Sequence, residues 1–520
     1  MQLTETVRSQ LDIVPLHCPL RRSAVALTAL LFVGFAVRIV AFWTQTYVLF
    51  NDETFQYFEQ GHRLAFGTGV VPWEFDDGIR SWLLPGLIAG LMRLTATVSD
   101  DPLVYVRLVR FLCAALSLVV VTVGYRQGER LFGLVGGIVT GGFCAIWFDL
   151  VYFAPSVLTE VLAAHVAVLA IFMGEGARKA DFHDQRPLLL IGGLFGLAAC
   201  LRFQYGPALL AAMLWQYRLS WRYWRWLLLG GIAVVLPVGG LLDALTLGSP
   251  FQSIWLNVQR NSVDQISTGM GVEPAGYYMG YLAVALYPLP IFGTFLVLGS
   301  FRMPALAIAA AVTLLVHSLV PHKEVRFIYL AISAAPVLIG LGAAGVLHHL
   351  SSALGRRAAI SGAVLFLTIG AAVSWQTGMV TFGARWQLDR ASIQASLAAH
   401  AEPDLCGLEI RDVWFWRSGG YTYLNRDVPI FYGFYDPDLK LPKSHRTEVV
   451  RVMRGGQSVP QFTLDRLSTE TRRFSHMIAD RGFEEPGYTQ VACFDDINRA
   501  DEPELCLYRR PGGCEDPSNK

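Results

Sequence analysis

Apolar residues fall along this chain in long unbroken runs, not in the alternating or one-sided patterns of soluble strands and helices. Runs fit to enter a hydrocarbon core of about 30 Å recur at 23–48, 103–125, 131–150, 156–172 and 187–200. Others follow at 205–215, 226–247, 278–300, 304–320, 327–347 and 358–380, so about eleven transmembrane helices are expected, some of them short. A further apolar stretch after Arg80, broken by Pro85 and Gly86, is expected to lie in the membrane interface. From Gly383 the long runs stop. Short strands are expected at Val413–Phe415, Tyr421–Leu424, Val428–Tyr432 and Tyr488–Phe494, with a helix over Leu464–Met477. The expected architecture is thus a polytopic α-helical membrane protein over residues 1–382, with a first external loop at 49–102, followed by a small C-terminal α/β extracytoplasmic domain at 383–520.

Composition agrees with the pattern. Of 520 residues, 53% are hydrophobic and 16% charged, well below the quarter usual in soluble domains. The first apolar run is too long for a signal-peptide core and has no small-residue cleavage site after it, so it is read as a retained span. Net charge is +1 and no Lys/Arg cluster invites nucleic acid, so the placement of the basic residues carries the information. With the N-terminus inside, Arg21 and Arg22, Arg126 and Arg130, Arg178, Lys179 and Arg186, Arg218, Arg222 and Arg225, Arg302, and Arg356 and Arg357 all fall on the cytoplasmic side. The first loop, the turn at Phe203, the segment 249–277, the turn at 322–326 and the C-terminal domain then share the opposite face. Cys406, Cys493, Cys506 and Cys514 lie in that domain; four cysteines allow three pairings, and any of them requires an oxidising compartment.

Against this apolar background the loop from Asn51 to Ser81 carries a heavy polar load. Asn51 is expected to cap a helix over 52–66, setting Asp52 and Glu53 on its first turn, where free N–H groups keep carboxylates ionised and one can act as a general base. Acidic residues also favour any helix N-terminus, and the loop alone does not decide. Arg202 and the run Pro321-His322-Lys323-Glu324-Val325-Arg326 concentrate cations on the disfavoured side, at span ends, where they call for an anionic partner or snorkel to headgroups. Arg38, Asp149 and Glu160 lie in or beside apolar runs, and a carboxylate, Glu160 first, is the expected partner of Arg38, for structure or for substrate. Gathered on one face, the carboxylates of the loop and the cations Arg80, Arg202, His322, Lys323 and Arg326 suit displacement of a phosphate from a sugar. Cations stabilise the leaving phosphate, and one carboxylate suffices to take the incoming hydroxyl's proton.

Three stretches carry a resemblance: Asn51-Asp52-Glu53-Thr54-Phe55-Gln56-Tyr57; Trp73-Glu74-Phe75 with Arg80-Ser81; and His322-Lys323-Glu324-Val325-Arg326-Phe327. In order and spacing they resemble the polytopic mannosyltransferases that build GPI anchors and lipid-linked oligosaccharides, glycosyltransferase family 22 of the GT-C fold, over about Ser23 to Leu347. Val325 stands where that family usually has a second Glu, and Asn51 where it commonly has Pro. The resemblance implies an inverting glycosyltransferase that moves mannose from a polyprenyl-phosphate-mannose donor to a hydroxyl of a glycan or glycolipid acceptor on the outer face of the membrane. It implies Asp52 as general base with Glu53 beside it, Arg80, His322, Lys323 and Arg326 on the donor phosphate, and Trp73, Glu74 and Gln56 at the sugar or acceptor site. Arg202 is added to the phosphate set from topology. Membrane lipid, donor and acceptor are the expected partners; no cofactor beyond the lipid-linked sugar, no metal and no nucleic acid is expected. A bacterial plasma-membrane protein is expected, with its N-terminus cytoplasmic and its C-terminal domain periplasmic. The alternatives are a related transferase using another lipid-linked sugar or a protein acceptor, or a transporter or flippase, for which intramembrane charges are equally normal.

Overall fold

The computed structural model describes residues 20–45, 50–179, 185–286, 290–411, 413, 415–433, 451–454, 457–460, 462–463, 472–484, 486–495 and 504–514. Helix α1 (Leu20–Thr44) leads into the first loop, which holds α2 (a π-helical stretch Glu53–Phe58 running into Glu59–Phe66), strand β1 (Gly69–Val71), the short α3 (Trp73–Asp76) and α4 (Leu83–Ala96). Then come α5 (Pro102–Ile146), α6 (Thr159–Lys179), α7 (Arg186–Leu201), α8 (Gly206–Tyr217) and α9 (Trp221–Val235), the last continuing helically to Leu247. Helices α10 (Tyr277–Leu286), α11 (Ile291–Ser300), α12 (Pro304–Ser318), α13 (Tyr329–Leu354) and α14 (Arg356–Phe382) complete the bundle.

Length alone shows that α5 is folded. At about 1.5 Å per residue, 45 residues would reach about 68 Å, twice a hydrocarbon core. Gly133 breaks it at φ 73°, and the two arms pack so tightly that a Cβ on Gly128 would lie 2.4 Å from the Gly136 carbonyl oxygen. Both runs expected as separate spans, 103–125 and 131–150, are therefore arms of one hairpin.

Six helices among the described residues are long and apolar enough to cross a membrane, and α10 with α11 makes a seventh if the broken pair is one span. The shortfall from eleven lies in that hairpin and in the runs 187–200, 205–215 and 304–320, which form helices of 16, 12 and 15 residues. Burial ranks the spans. The segment Val325–Leu354 has 89% of its apolar window inside the protein, against 28% for Arg21–Thr44 and for Arg356–Arg385, so α13 is the axis and α1 and α14 face outward.

At one end of the bundle Tyr125 donates to the Ser23 carbonyl, Arg126 pairs with Glu129, and Arg302 lies over the Phe132 ring, which also meets His348. The basic loops thus gather together, away from the Asp52 end. Arg38 does not pair with Glu160. It donates to Ser117 Oγ at 2.8 Å and to the carbonyls of Gly34 and Ala145 at 3.0 and 2.9 Å. The Ala145 carbonyl belongs to the last turn of α5, where oxygens lack helical donors and the dipole is negative, so a helix end does the work expected of a carboxylate.

After α15 (Arg390–Ala401) comes a sheet in the order β6 (Phe462–Thr463), β3 (Ile430–Gly433), β2 (Leu408–Arg411), β7 (His476–Asp480), β9 (Leu505–Arg509), β8 (Thr489–Phe494), parallel from β6 to β7 and antiparallel beyond. The strands expected at 428–432 and 488–494 are present. Tyr421–Leu424 instead belongs to the single-turn helix α16 (Gly420–Leu424), and of the strand expected at 413–415, Val413 and Phe415 are not in a strand while residue 414 lies outside the described residues. Of the helix expected at 464–477, residues 464–471 lie outside the described residues, while His476 and Met477 open β7. Disulfides join Cys406 to Cys514 and Cys493 to Cys506.

This C-terminal part and the first loop share a core. Phe55 of α2 and Val70 of β1 are buried together with Ala391, Ala395 and Ala399 of α15 and with Leu408, Ile410 and Ile478 of the sheet. Strand β1 also pairs antiparallel with β4 (Arg451–Arg454), itself paired with β5 (Gln457–Pro460). A loop of a membrane bundle thus lends a strand and two core side chains to the region that follows the last helix.

Candidate active site

The polar end of the bundle is assembled from α2 outward. The Asn51 cap is not made: the Glu53 N–H already bonds the Phe50 carbonyl at 2.9 Å, so Asn51 is within the first turn and its buried Oδ1 has no hydrogen-bond partner. Successive helix residues point about 100° apart, and the two acids therefore separate. Asp52 turns outward, with 31% of its side chain exposed; Glu53 turns inward and is wholly buried. Burial pushes the Glu53 carboxyl up to about 7 against the pull of Arg110, and neither oxygen closes a hydrogen bond, although Ser156 and Val157 stand nearby. The π-helical stretch covers Glu53–Phe58, a distortion common at functional sites.

Asp52 forms an ion pair with Arg326, at the foot of the central helix α13. Arg326 is also held two-pronged by Glu324, Nε to Oε2 at 2.8 Å and Nη2 to Oε1 at 2.9 Å, and its guanidinium lies against the rings of Phe50 and Phe327 at 5.1 and 5.5 Å. Glu324 takes a third contact, His322 Nε2 at 3.2 Å. Burial works against its charge, but Arg326 and His322 win and hold its carboxyl well below the usual range. The Glu324 contact in turn raises His322. Both ring nitrogens of His322 face oxygens, Glu324 and the Gly271 carbonyl, an arrangement that suits imidazolium.

Lys323 points elsewhere. Buried to 5% exposure, its ammonium donates to the carbonyls of Val320, Glu273 and Pro321 at 2.6, 2.8 and 3.4 Å. Arg202, at the end of α7, pairs with Glu160 at 3.2 Å and lies over the Phe327 ring at 5.1 Å. Glu160 thus has a cation from the same polar end, leaving Arg38 to the helix carbonyls. Arg80 lies where Glu74, Asp52 and Glu160 all act on its charge. Gln56 donates to Glu74 at 2.9 Å; burial, with some help from Asp52, pushes the Glu74 carboxyl up to about 7. Trp73 opens α3 beside Glu74 and is half-buried.

A cleft of about 540 Å³, counting the solvent at its mouth, opens between these elements and is lined by Tyr57, Arg80, Thr159, Arg202, Ser253 and Asn257 among others. Buried guanidinium nitrogens of both arginines, the Nε of Arg80 and of Arg202, have no hydrogen-bond partner. Two cations with unused donors at one cleft suit an anion with several oxygens. Tyr57, Thr159, Ser253 and Asn257 were not singled out from sequence. Tyr57 lay inside the first motif, while the others are neutral residues with no spacing to mark them. Asp52, Glu74, Arg80, Glu160, Arg202, Glu324 and Arg326 are therefore brought together, with Glu53 behind them and Lys323 turned aside. A separate group, Glu402, Asp404 and His476, has potential ligand atoms within 4.8 Å of one another, in the C-terminal region.

With this geometry in view, the comparisons with known proteins are informative. The profile of the Alg9-like mannosyltransferase family matches residues 28–388. The chain is 26% identical over 295 residues to GPI mannosyltransferase 3 of Yarrowia lipolytica, covering 54% of this chain and 55% of that one. It is 27% identical over 373 residues to GPI alpha-1,2-mannosyltransferase 3 of Mus musculus, covering 68% and 64%. It therefore spans between about half and somewhat under two thirds of the length of such relatives. ArnT from Cupriavidus metallidurans, solved bound to undecaprenyl phosphate, matches with TM-score 0.55 at 14% identity, over 94% of this chain and 99% of that one. At that identity the likeness speaks for the fold alone, that of the GT-C membrane glycosyltransferases.

Proposed function

The chain belongs to the Alg9-like mannosyltransferase family, and on that premise we propose that it transfers mannose, with inversion, from a polyprenyl phosphate to a hydroxyl of a glycan or glycolipid. The observation that carries the proposal is the ion pair between Asp52 and Arg326, which joins the two motifs across most of the membrane half, beside a cleft carrying Arg80 and Arg202. The acceptor oxygen attacks the mannose C1 from the face opposite the phosphate. The C1–O bond to phosphate breaks, its electron pair leaves with the phosphate, and the hydroxyl proton passes to Asp52. The phosphodiester becomes a monoester with a second negative charge, and Arg80 and Arg202 stabilise that charge as it develops. Arg326 fixes Asp52 and keeps its own charge balanced through Glu324. Glu74, Gln56 and Trp73 bound the sugar. A phosphate that leaves so readily needs no protein acid, unlike the two-carboxylate arrangement of glycosidases.

The eleven apolar runs each cross the membrane in this reading, the basic loops face the cytosol, and the Asp52 end faces outward. The two disulfides support that orientation, since they require an oxidising compartment. The undecaprenyl phosphate of the ArnT structure supports a polyprenyl carrier here. The test is to incubate the purified protein with radiolabelled polyprenyl phosphate mannose and candidate glycolipids. Labelled product with inverted C1 is expected; unchanged donor with every acceptor would remove the assignment.

A further inference from the structure

Resting on that reading for its catalytic arm alone, we infer that Lys323 is a positioning residue that pins a strap, residues 259–276, which continues from the helix lining the cleft, and that it does not bind the donor phosphate. The strap leaves the helical stretch containing Ser253 and Asn257, both of which line the cleft. It is tied to the first loop where Arg260 Nε meets Asp77 at 3.0 Å and Asn257 Nδ2 donates to the Ile79 carbonyl at 3.4 Å. Its far end is tied to the turn at Pro321-His322-Lys323 three times: Lys323 Nζ to the Glu273 carbonyl at 2.8 Å, the Glu273 N–H to the Pro321 carbonyl at 3.1 Å, and His322 Nδ1 to the Gly271 carbonyl at 3.0 Å.

The chemistry of Lys323 follows from its donor count. An ammonium has three N–H bonds, and three carbonyl oxygens surround this one, two from its own turn and one, Glu273, from the strap, so no donor is left over for a phosphate. Arg80 and Arg202, in contrast, keep unused donors at the cleft. The strap has little else to hold it. Val263, Met270 and Val272 are 72%, 52% and 64% exposed, and none of its residues belongs to the buried apolar core. A segment with few apolar contacts opens at low free-energy cost, so its ties decide whether it stays closed. Closed, it steadies the preceding helix, which lines the cleft through Ser253 and Asn257, and so limits water beside the mannose C1. Open, it admits water, which attacks C1 in place of the acceptor, giving free mannose and polyprenyl phosphate.

Hydrogen exchange on the full-length protein, paired with donor binding and product analysis, tests the inference. Lys323→Met is expected to speed exchange of the 266–276 amides about tenfold and leave the affinity for polyprenyl phosphate within about twofold. The hydrolysed share of the donor should rise while the acceptor KM increases. Lys323→Arg, which keeps enough donors, should restore slow exchange; Glu273→Pro, which deletes one tie and leaves the lysine intact, should loosen the strap as well. Unchanged strap exchange in Lys323→Met overturns the inference, and polyprenyl phosphate affinity falling about tenfold overturns it by making Lys323 a phosphate ligand. Should the wild-type protein neither transfer nor hydrolyse the donor, the mannosyltransferase reading fails, while the exchange arm still decides the strap.

Discussion

Helix α2 holds a carboxylate at each of two levels, and they are treated in opposite ways. Asp52, at the start, is part-exposed and its partner is a long side chain, Arg326, that carries its own counter-ion in Glu324. Glu59, two turns on, is wholly buried, and its oxygens meet the main-chain N–H groups of Tyr421 and Thr422 and the Thr422 hydroxyl, the last two at 3.2 and 3.1 Å. Gly420, at φ 57°, lets α16 come this close: a Cβ there would lie 2.4 Å from Glu59 Oε1. A side-chain ion pair can exchange partners when a substrate arrives. A carboxyl group clasped by backbone amides cannot let go without moving the polypeptide. The proposed base and the structural acid of one helix are distinguished by what holds them, not by residue type.

The largest effect is expected where the exchangeable pair is broken. Asp52→Asn should lower kcat by about 10³-fold or more with thermal stability within about 1 kcal/mol of wild type; near wild-type turnover would remove the base and leave the two acids alike. Arg80→Gln should cost about 10²-fold in transfer, chiefly as weaker donor binding measured with polyprenyl phosphate. Glu59→Ala leaves two buried amides unsatisfied, at about 1–3 kcal/mol each. Protease should then separate the C-terminal region from the bundle sooner, and a variant as resistant as wild type would show that the clasp holds nothing.

The smallest effect concerns pH. Burial pushes the Glu59 carboxyl up to about 8, above its ordinary value of about 4.5. Between those values the unfolded chain has lost the proton that the folded chain keeps, so this group lowers stability progressively as pH rises from about 5 to 8. Melting temperature across that window should therefore fall with pH, and Glu59→Gln, which mimics the neutral acid, should flatten the slope. An unaltered slope would mean that Glu59 ionises as readily in the folded protein.

Much of this was legible in the sequence, and the failures have physical causes. The apolar helices could be read because an unbroken apolar run has few other fates, although six, or seven with the broken pair, and not eleven, are long enough to span, and the motif residues Asp52, Arg80 and Arg326 do converge. Arg38 misled because its acceptors are backbone carbonyls, which no side-chain pattern advertises. The run Tyr421–Leu424 reads as a strand by composition, yet four residues are too few to separate strand from helix, and contact with α2 decides. Strand β2 was missed because Glu409 and Arg411 break its apolar pattern. Two apart on a strand, they share one face and pair at 2.8 Å in the interior.

The shared core of Phe55 and Val70 with α15 and the sheet also sets an order of events during synthesis. The first loop leaves the ribosome more than three hundred residues before the strands that will cover it. Until the sheet has been made, the flank of α2 that carries Phe55 has no apolar neighbour, and α2 is held only by the bundle through Tyr57 and Phe58. Chains cut short before the sheet would thus carry all three of the resembling stretches yet leave this flank of the first loop uncovered.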